Sequence, residues 1–202
     1  SFRLFVDDAH GFGTLGKTGA GTGEEQNCQD GIDIYFGTFA KSMALIGGFI
    51  ASDKNIVKFL RYNLRSQIYA KSVPMPIVWG ALKRLDLIRK HPEYKENLWK
   101  IVDALQKGLR DVGFDLGRTN SCVTPVMMHG TVGESTAVVH DLRENYGIFC
   151  SVVVYPVIPK GMILLRLIPT AVHTLDQVER TIKAFVEIRE KLANGTYSEV
   201  GR

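Results

Sequence analysis

The chain has 202 residues, 45% hydrophobic and 23% charged, with a net charge of +4. That length supports one large or two small domains with real cores, and the composition is ordinary for a globular protein. The cations read as scattered among Asp and Glu along helical stretches, against a nucleic-acid partner, and no apolar run approaches the roughly 20 residues that span a bilayer. Cys28, Cys122 and Cys150 lack metal-ligand spacing, so no metal site is expected and all three read as free buried thiols of a reducing cytoplasm.

The chain opens directly in a strand with no initiator Met, as expected of the later part of a longer polypeptide. Residues 2–6 read as a short buried strand ending in Asp7-Asp8, followed by a glycine-rich loop to Gly23. "IDIYFGTFAKS" gives a second apolar strand with a polar turn, and "GGFIAS" a third. Ser52 or Asp53 then caps a helix through "KNIVKFLRYNLRSQ", whose Ile56, Phe59, Leu60 and Leu64 share a face. A long helix runs from Pro74 and Pro76 to about His91, and Pro92 opens another that ends near Gly113. "CVTPVMMHG" is a strand, residues 134–146 a helix, and "IFCSVVVYP" and "MILLRLIP" two strands joined by "VIPKG". The last helix opens on the capping box Thr174–Gln177 and stops at Asn194-Gly195. This order predicts an α/β domain over residues 1–90 and a smaller α+β domain over 91–202.

Gly11 to Thr18 satisfies G-x-x-x-x-G-K-[ST], the pattern of phosphate-binding loops. Such a loop joins a strand directly to a helix whose first amides face the phosphates. Here Gly19, Gly21 and Gly23 follow, each costing a helix about 1 kcal/mol relative to Ala. No helix is expected there, and the match reads as accidental.

Chemistry is expected from the residues that flank the loop. Asp7 and His10 stand at the carboxyl end of one strand, and Thr38 and Lys41 just past the next, where α/β sheets place ligand contacts. Taken singly, each is more often a turn cap or a solvated charge. Together they supply what pyridoxal phosphate needs. A lysine amine takes the aldehyde, a carboxylate keeps the ring nitrogen protonated, an imidazole meets the ring hydroxyl, and a hydroxyl meets phosphate or ring oxygen.

"VDDAHGFGTLGKTGAG", "TFAKSMALIGGF" and "PVIPKGMILLRLIPTAVHT" together resemble the α-oxoamine synthases, pyridoxal-phosphate enzymes of fold type I. The resemblance covers essentially the whole chain and is strongest to the bacterial serine palmitoyltransferases. It implies a decarboxylative condensation of L-serine with a long-chain acyl-CoA, palmitoyl-CoA, giving 3-ketosphinganine, CoA and CO2. Glycine C-acetyl transfer from acetyl-CoA is the alternative, and a non-catalytic partner subunit is disfavoured by Lys41 and the intact Asp7/His10 pair. It further implies Lys41 as the cofactor lysine, Asp7 at the ring nitrogen, His10 at the ring hydroxyl, Thr38 completing the cofactor set, and Arg166 gripping the substrate carboxylate. Ser72 falls in the segment that reaches a neighbouring subunit's cofactor phosphate, but Ala70 and Lys71 replace the hydroxyl pair usual there. The same resemblance implies a homodimer with shared active sites and an inactive 202-residue piece. The setting is cytoplasmic, with a lipid product compatible with peripheral contact at the inner membrane face.

Overall fold

The computed structural model describes residues 2–198, which fall into two compact units, Ser1–Lys95 and Glu96–Arg202. In the first unit, β1 (Phe5–Asp7) pairs in parallel with β2 (Ile34–Thr38), and β2 pairs antiparallel with β3 (Gly48–Ser52), in the order β1-β2-β3. A parallel neighbour requires a crossover. Here the glycine loop, the single turn α1 (Thr22–Glu25) and a short 3-10 turn provide it. The helices α2 (Lys54–Asn63), α3 (Arg65–Tyr69) and α4 (Met75–Lys90) follow, and α5 (Pro92–Asp111) begins in this unit.

Several sequence expectations change in detail. The first strand starts at Phe5, and Phe2 and Phe5 are exposed rather than buried. The helix expected as one piece breaks at Leu64, whose backbone is extended (ψ 112°), and Asn63 Nδ2 donates to the Phe59 carbonyl at 2.8 Å where α2 ends. Asp53 occupies the N-cap of α2, but its side chain accepts no capping hydrogen bond. Cys28 is exposed, unlike Cys122 and Cys150.

The second unit is a three-stranded antiparallel sheet, β4 (Thr124–His129), β6 (Met162–Leu167) and β5 (Ser151–Val153), in the order β4-β6-β5. The strand expected over residues 148–156 pairs only at Ser151–Val153. Period-two alternation puts Val126 opposite Leu165 and Met128 opposite Ile163 on one sheet face. That face packs on α5, α6 (Val132–Tyr146) and α7 (Leu175–Ala193) through the fully buried Leu109, Val138, Leu142, Phe185 and Ile188. Both α6 and α7 open on capping boxes, Thr131 with Glu134 and Thr174 with Gln177. α7 is tied to α6 by a buried carboxylate. Asp141 accepts from Lys191 Nζ at 2.8 Å and Tyr197 Oη at 2.5 Å.

Candidate active site

Asp7 and Thr38 terminate the two parallel strands of the first unit, with Asp7 in register with Phe36, two residues before Thr38. Both strands therefore deliver a polar side chain to the same sheet edge. Asp7 is exposed, and its Oδ1 accepts the Ala9 amide at 3.1 Å, which starts the turn carrying His10. His10 is exposed, and its carbonyl accepts the Thr14 hydroxyl at 2.6 Å.

Asp8, one residue on, points into the protein. It is only 4% exposed, and its carboxylate accepts the Thr22 amide at 2.7 Å, the Thr22 hydroxyl at 2.5 Å and the Tyr35 hydroxyl at 2.9 Å. Burial, and then the Asp8 carboxylate beside it, raise the Tyr35 hydroxyl above its ordinary range. Asp8 thus fastens both ends of the glycine loop to β2. The Asp-Asp pair gave no hint of this division of labour; strand alternation, which turns neighbours to opposite sides, was the signal that could have found it.

The loop between them does not offer its amides to a phosphate. The Thr18 and Ala20 amides donate to Glu24 Oε2 at 3.0 and 3.1 Å, and the Gly16 amide donates to Glu25 Oε2 at 2.9 Å. Burial alone would favour neutral Glu24, but the Ala20 and Thr18 amides outweigh it and hold its pKa below the usual carboxylate value. The helix that follows, α1, is a single turn that begins at Thr22, beyond the Gly-Lys-Thr motif. The lysine-threonine match is therefore a turn closed on its own acids.

Lys41 lies on the exposed crest of the β2–β3 loop. Thr38 shapes this loop from below. Its hydroxyl donates to the Gly47 carbonyl at 3.3 Å, and its oxygen accepts the Ala40 amide at 3.2 Å. Met43, 2% exposed, anchors the loop, and Ala44 donates back to the Lys41 carbonyl at 3.0 Å. Phe49 joins the two functional loops, with its ring 5.1 Å from Phe12 and 5.6 Å from Phe39. Gly37 leaves room for that ring, since a Cβ there would fall 2.5 Å from it. The glycine loop approaches still closer at Gly13, with φ +83°, where a Cβ would lie 2.6 Å from Ser42 Oγ. His10 and Lys41 are thus carried by loops packed against each other within one unit.

Ser72 is exposed in the segment between α3 and α4, next to Lys71, which sits at φ +67° in the left-handed region that favours glycine. That segment adjoins the lysine loop: a Cβ on Gly47 would meet Val73 Cγ2 at 3.6 Å. Arg166 belongs to the second unit, on β6 between the buried Leu165 and Leu167. Alternation turns it to the sheet face opposite the core, where it is half-buried and its Nε donates to Ser151 Oγ at 3.1 Å. The partner that a buried arginine would require is therefore a neutral hydroxyl. The groove between β3 and the α2–α3 pair is lined by Phe49, Val57, Leu60, Arg61, Leu64 and Gln67 among others, but by none of the predicted site residues. Among the described residues no His, Cys, Asp and Glu cluster suits a metal.

Carboxylate, imidazole, hydroxyl and amine, ending two parallel strands and their following turns, fit pyridoxal phosphate by donor chemistry. This is the layout of a cofactor-dependent transferase of fold type I. Its profile, Aminotransferase class I and II, matches residues 1–185, and the chain belongs to that family. Within it, the chain is similar to the α-oxoamine synthases. It is 60% identical over 98% of its length to a cysteate-C-fatty acyltransferase of Capnocytophaga ochracea, and 36% identical over 92% to a serine palmitoyltransferase of Sphingobacterium spiritivorum. It covers 47% and 46% of those two proteins, so it spans about half the length of the curated relatives it matches. Serine palmitoyltransferase of Sphingomonas wittichii superposes with a TM-score of 0.85 at 30% identity, covering 96% of this chain and 48% of that one. The 8-amino-7-oxononanoate synthase of Francisella tularensis, at 21% identity and a TM-score of 0.81, covers 96% and 56% and shares the fold.

Proposed function

We propose that the intact protein is an acyltransferase that joins a small α-amino acid to a fatty acyl thioester with loss of CO2, and that the amino acid is cysteate. The observation that carries the reaction is the convergence of Asp7, His10, Thr38 and Lys41 at one sheet edge. The identity to the Capnocytophaga cysteate enzyme, 60% against 36% for a serine enzyme, supports the choice of amino acid.

When bound, pyridoxal phosphate supplies a sink for the electron pair released at the amino acid's α-carbon. In this reading Asp7 keeps a proton on the ring nitrogen, and His10 hydrogen-bonds the ring hydroxyl. Thr38 and Ser72 take the remaining ring or phosphate oxygens. Lys41 Nζ holds the cofactor at rest and then accepts the α-proton. Arg166 grips the carboxylate that is lost, its guanidinium fork matching the two oxygens. A carbon–carbon bond would form to the acyl carbon, the thiolate would leave and take the proton held by Lys41, and the bond to the carboxylate would break to give CO2, its electron pair taking up a proton from solvent at the α-carbon. The first unit then serves as part of the large cofactor domain and the second as the small domain, in a homodimer with shared sites. The setting is the cytoplasm, where acyl thioesters are made.

The second reading keeps the chemistry and takes L-serine with palmitoyl-CoA, giving 3-ketosphinganine. The Sphingobacterium and Sphingomonas relatives favour it. Glycine with acetyl-CoA stands behind both. Borohydride reduction of the intact protein with pyridoxal phosphate, followed by peptide mapping, is expected to label Lys41, and Lys41→Ala is expected to be colourless. A label on Lys17 or Lys71 would overturn the cofactor assignment. Product formation from cysteate, serine and glycine, compared at equal concentration, then ranks the amino acids. Serine outperforming cysteate would move the protein to the second reading.

A further inference from the structure

β6 is the central strand of its sheet, so Arg166 has a cross-strand neighbour on each side, Ser151 on β5 and Pro125 on β4. Side chains directly opposite one another share a sheet face. The next residue of β6 on that face, Leu164, is flanked in turn by Val153 and Met127. Pro125, Leu164, Val153 and Met127 carry no side-chain oxygen or nitrogen, which leaves Ser151 as the hydrogen-bonding neighbour. Its Oγ accepts Arg166 Nε at 3.1 Å. Among the described residues that is the one hydrogen bond of the guanidinium, and no carboxylate pairs with it. Cys150 before Ser151 and Val152 after it pack with the core on the opposite sheet face. Alternation therefore holds Ser151 on the Arg166 side.

We propose that Ser151 is a positioning residue for the amino-acid substrate, acting through Arg166 and resting on the reading of Arg166 as the partner of the substrate carboxylate. A guanidinium is a planar fork of five N–H donors. A carboxylate can dock on it side-on, at Nε and one Nη, or end-on, at the two Nη. With Nε given to Ser151, the end-on edge is the one left. An unheld arginine samples many rotamers, and ordering it at the moment of binding costs affinity. The hydroxyl holds the fork in place beforehand. It does so as a neutral acceptor, so the full positive charge stays available to the ligand. A carboxylate at position 151 would fix the fork and cancel that charge. A cross-strand pair that served the sheet alone would gain from such a carboxylate, since opposite charges across strands are stabilising.

The test is spectroscopic titration of the intact holoenzyme with L-cysteate and, in parallel, with L-serine, which share the α-carboxylate. Ser151→Ala is expected to bind the amino acid about tenfold more weakly. Ser151→Thr, which keeps the hydroxyl, should restore native affinity. Ser151→Asp, which keeps an acceptor but cancels the charge, should bind as poorly as Arg166→Ala. Added to Arg166→Ala, the Ser151→Ala change should cost nothing further, because its effect passes through the arginine. Cofactor affinity and the KM for the acyl thioester should stay unchanged in Ser151→Ala, which a general loosening of the sheet would not allow. Unchanged affinity in Arg166→Ala would overturn the reading of Arg166, and this role with it. Weakened affinity in Arg166→Ala but not in Ser151→Ala would overturn the positioning role alone. So would a threonine variant no better than the alanine one, native affinity in the aspartate variant, a further loss in the double variant, or an equal rise in the KM for the acyl thioester.

Discussion

Asp7 and Asp8 are neighbours in the chain and opposites in the structure: Asp7 stands exposed at the end of β1, while Asp8 is buried on Thr22 and Tyr35. Removing the Asp8 carboxylate leaves the Thr22 and Tyr35 hydroxyls and the Thr22 amide without their charged acceptor, and a hydrogen bond to a charged group is worth about 1.5–3 kcal/mol. Asp8→Ala is therefore expected to destabilise the protein by about 3 kcal/mol. Asp7→Ala, an exposed change, should stay within about 0.5 kcal/mol yet abolish turnover. Urea midpoints and product assays on the two variants check this. Equal destabilisation by both would contradict the division of roles.

Arg166 bonds a neutral hydroxyl, and among the described residues no carboxylate pairs with it; in the proposed reading its charge serves the amino-acid carboxylate. Arg166→Ala should change stability by less than about 1 kcal/mol. It should weaken amino-acid binding by about 2 kcal/mol, roughly thirtyfold, with Arg166→Lys intermediate because the charge survives without the fork. Spectroscopic titration of the holoenzyme with the amino acid measures this. Unchanged affinity in the alanine variant would remove Arg166 from the site.

Lys71 holds a strained backbone conformation in the segment that adjoins the lysine loop. Strain of that kind costs on the order of 1–3 kcal/mol and collects at functional positions. The sulfonate of cysteate is a permanent anion that serine lacks. Lys71→Ser is therefore expected to lower kcat/KM for cysteate by about 2 kcal/mol, roughly thirtyfold, and to spare serine. If Lys71 instead serves the cofactor phosphate, both substrates suffer equally and cofactor affinity falls, which an equilibrium dialysis of pyridoxal phosphate detects.

The cysteines differ in accessibility and in ionisation. Burial pushes the Cys150 thiol up to about 11, because a thiolate is poorly solvated there. A raised pKa leaves the neutral thiol at pH 8, so Cys150 should resist alkylation until the pH approaches that value or the fold opens. The exposed Cys28 should react first. Timed iodoacetamide labelling with peptide mapping reads the order. Cys150 reacting as fast as Cys28 at pH 8 would contradict its burial.

Period and punctuation carried most of the secondary structure. The capping box at Thr174, Pro92 at the start of α5 and the apolar runs of β4 and β6 are local patterns, and local sterics and hydrogen bonding fix them, whereas the Thr131 box that starts α6 at Val132, two residues before the expected 134, was not read. The candidate residues Asp7, His10, Thr38 and Lys41 could be picked out for a related reason, since each stands at or just past a strand end that hydrophobic runs mark out. Only the tertiary structure decided what depends on partners distant in sequence. Asp8 turns inward because Tyr35 and Thr22 wait there, and Phe49 clasps Phe12 and Phe39 because Gly37 leaves space. The amides of the Gly-Lys-Thr loop close on Glu24 and Glu25, and Arg166 faces away from the core that Leu165 and Leu167 enter. A sequence sets which way each side chain alternates. Which atoms meet it there depends on how the strands and loops pack in three dimensions.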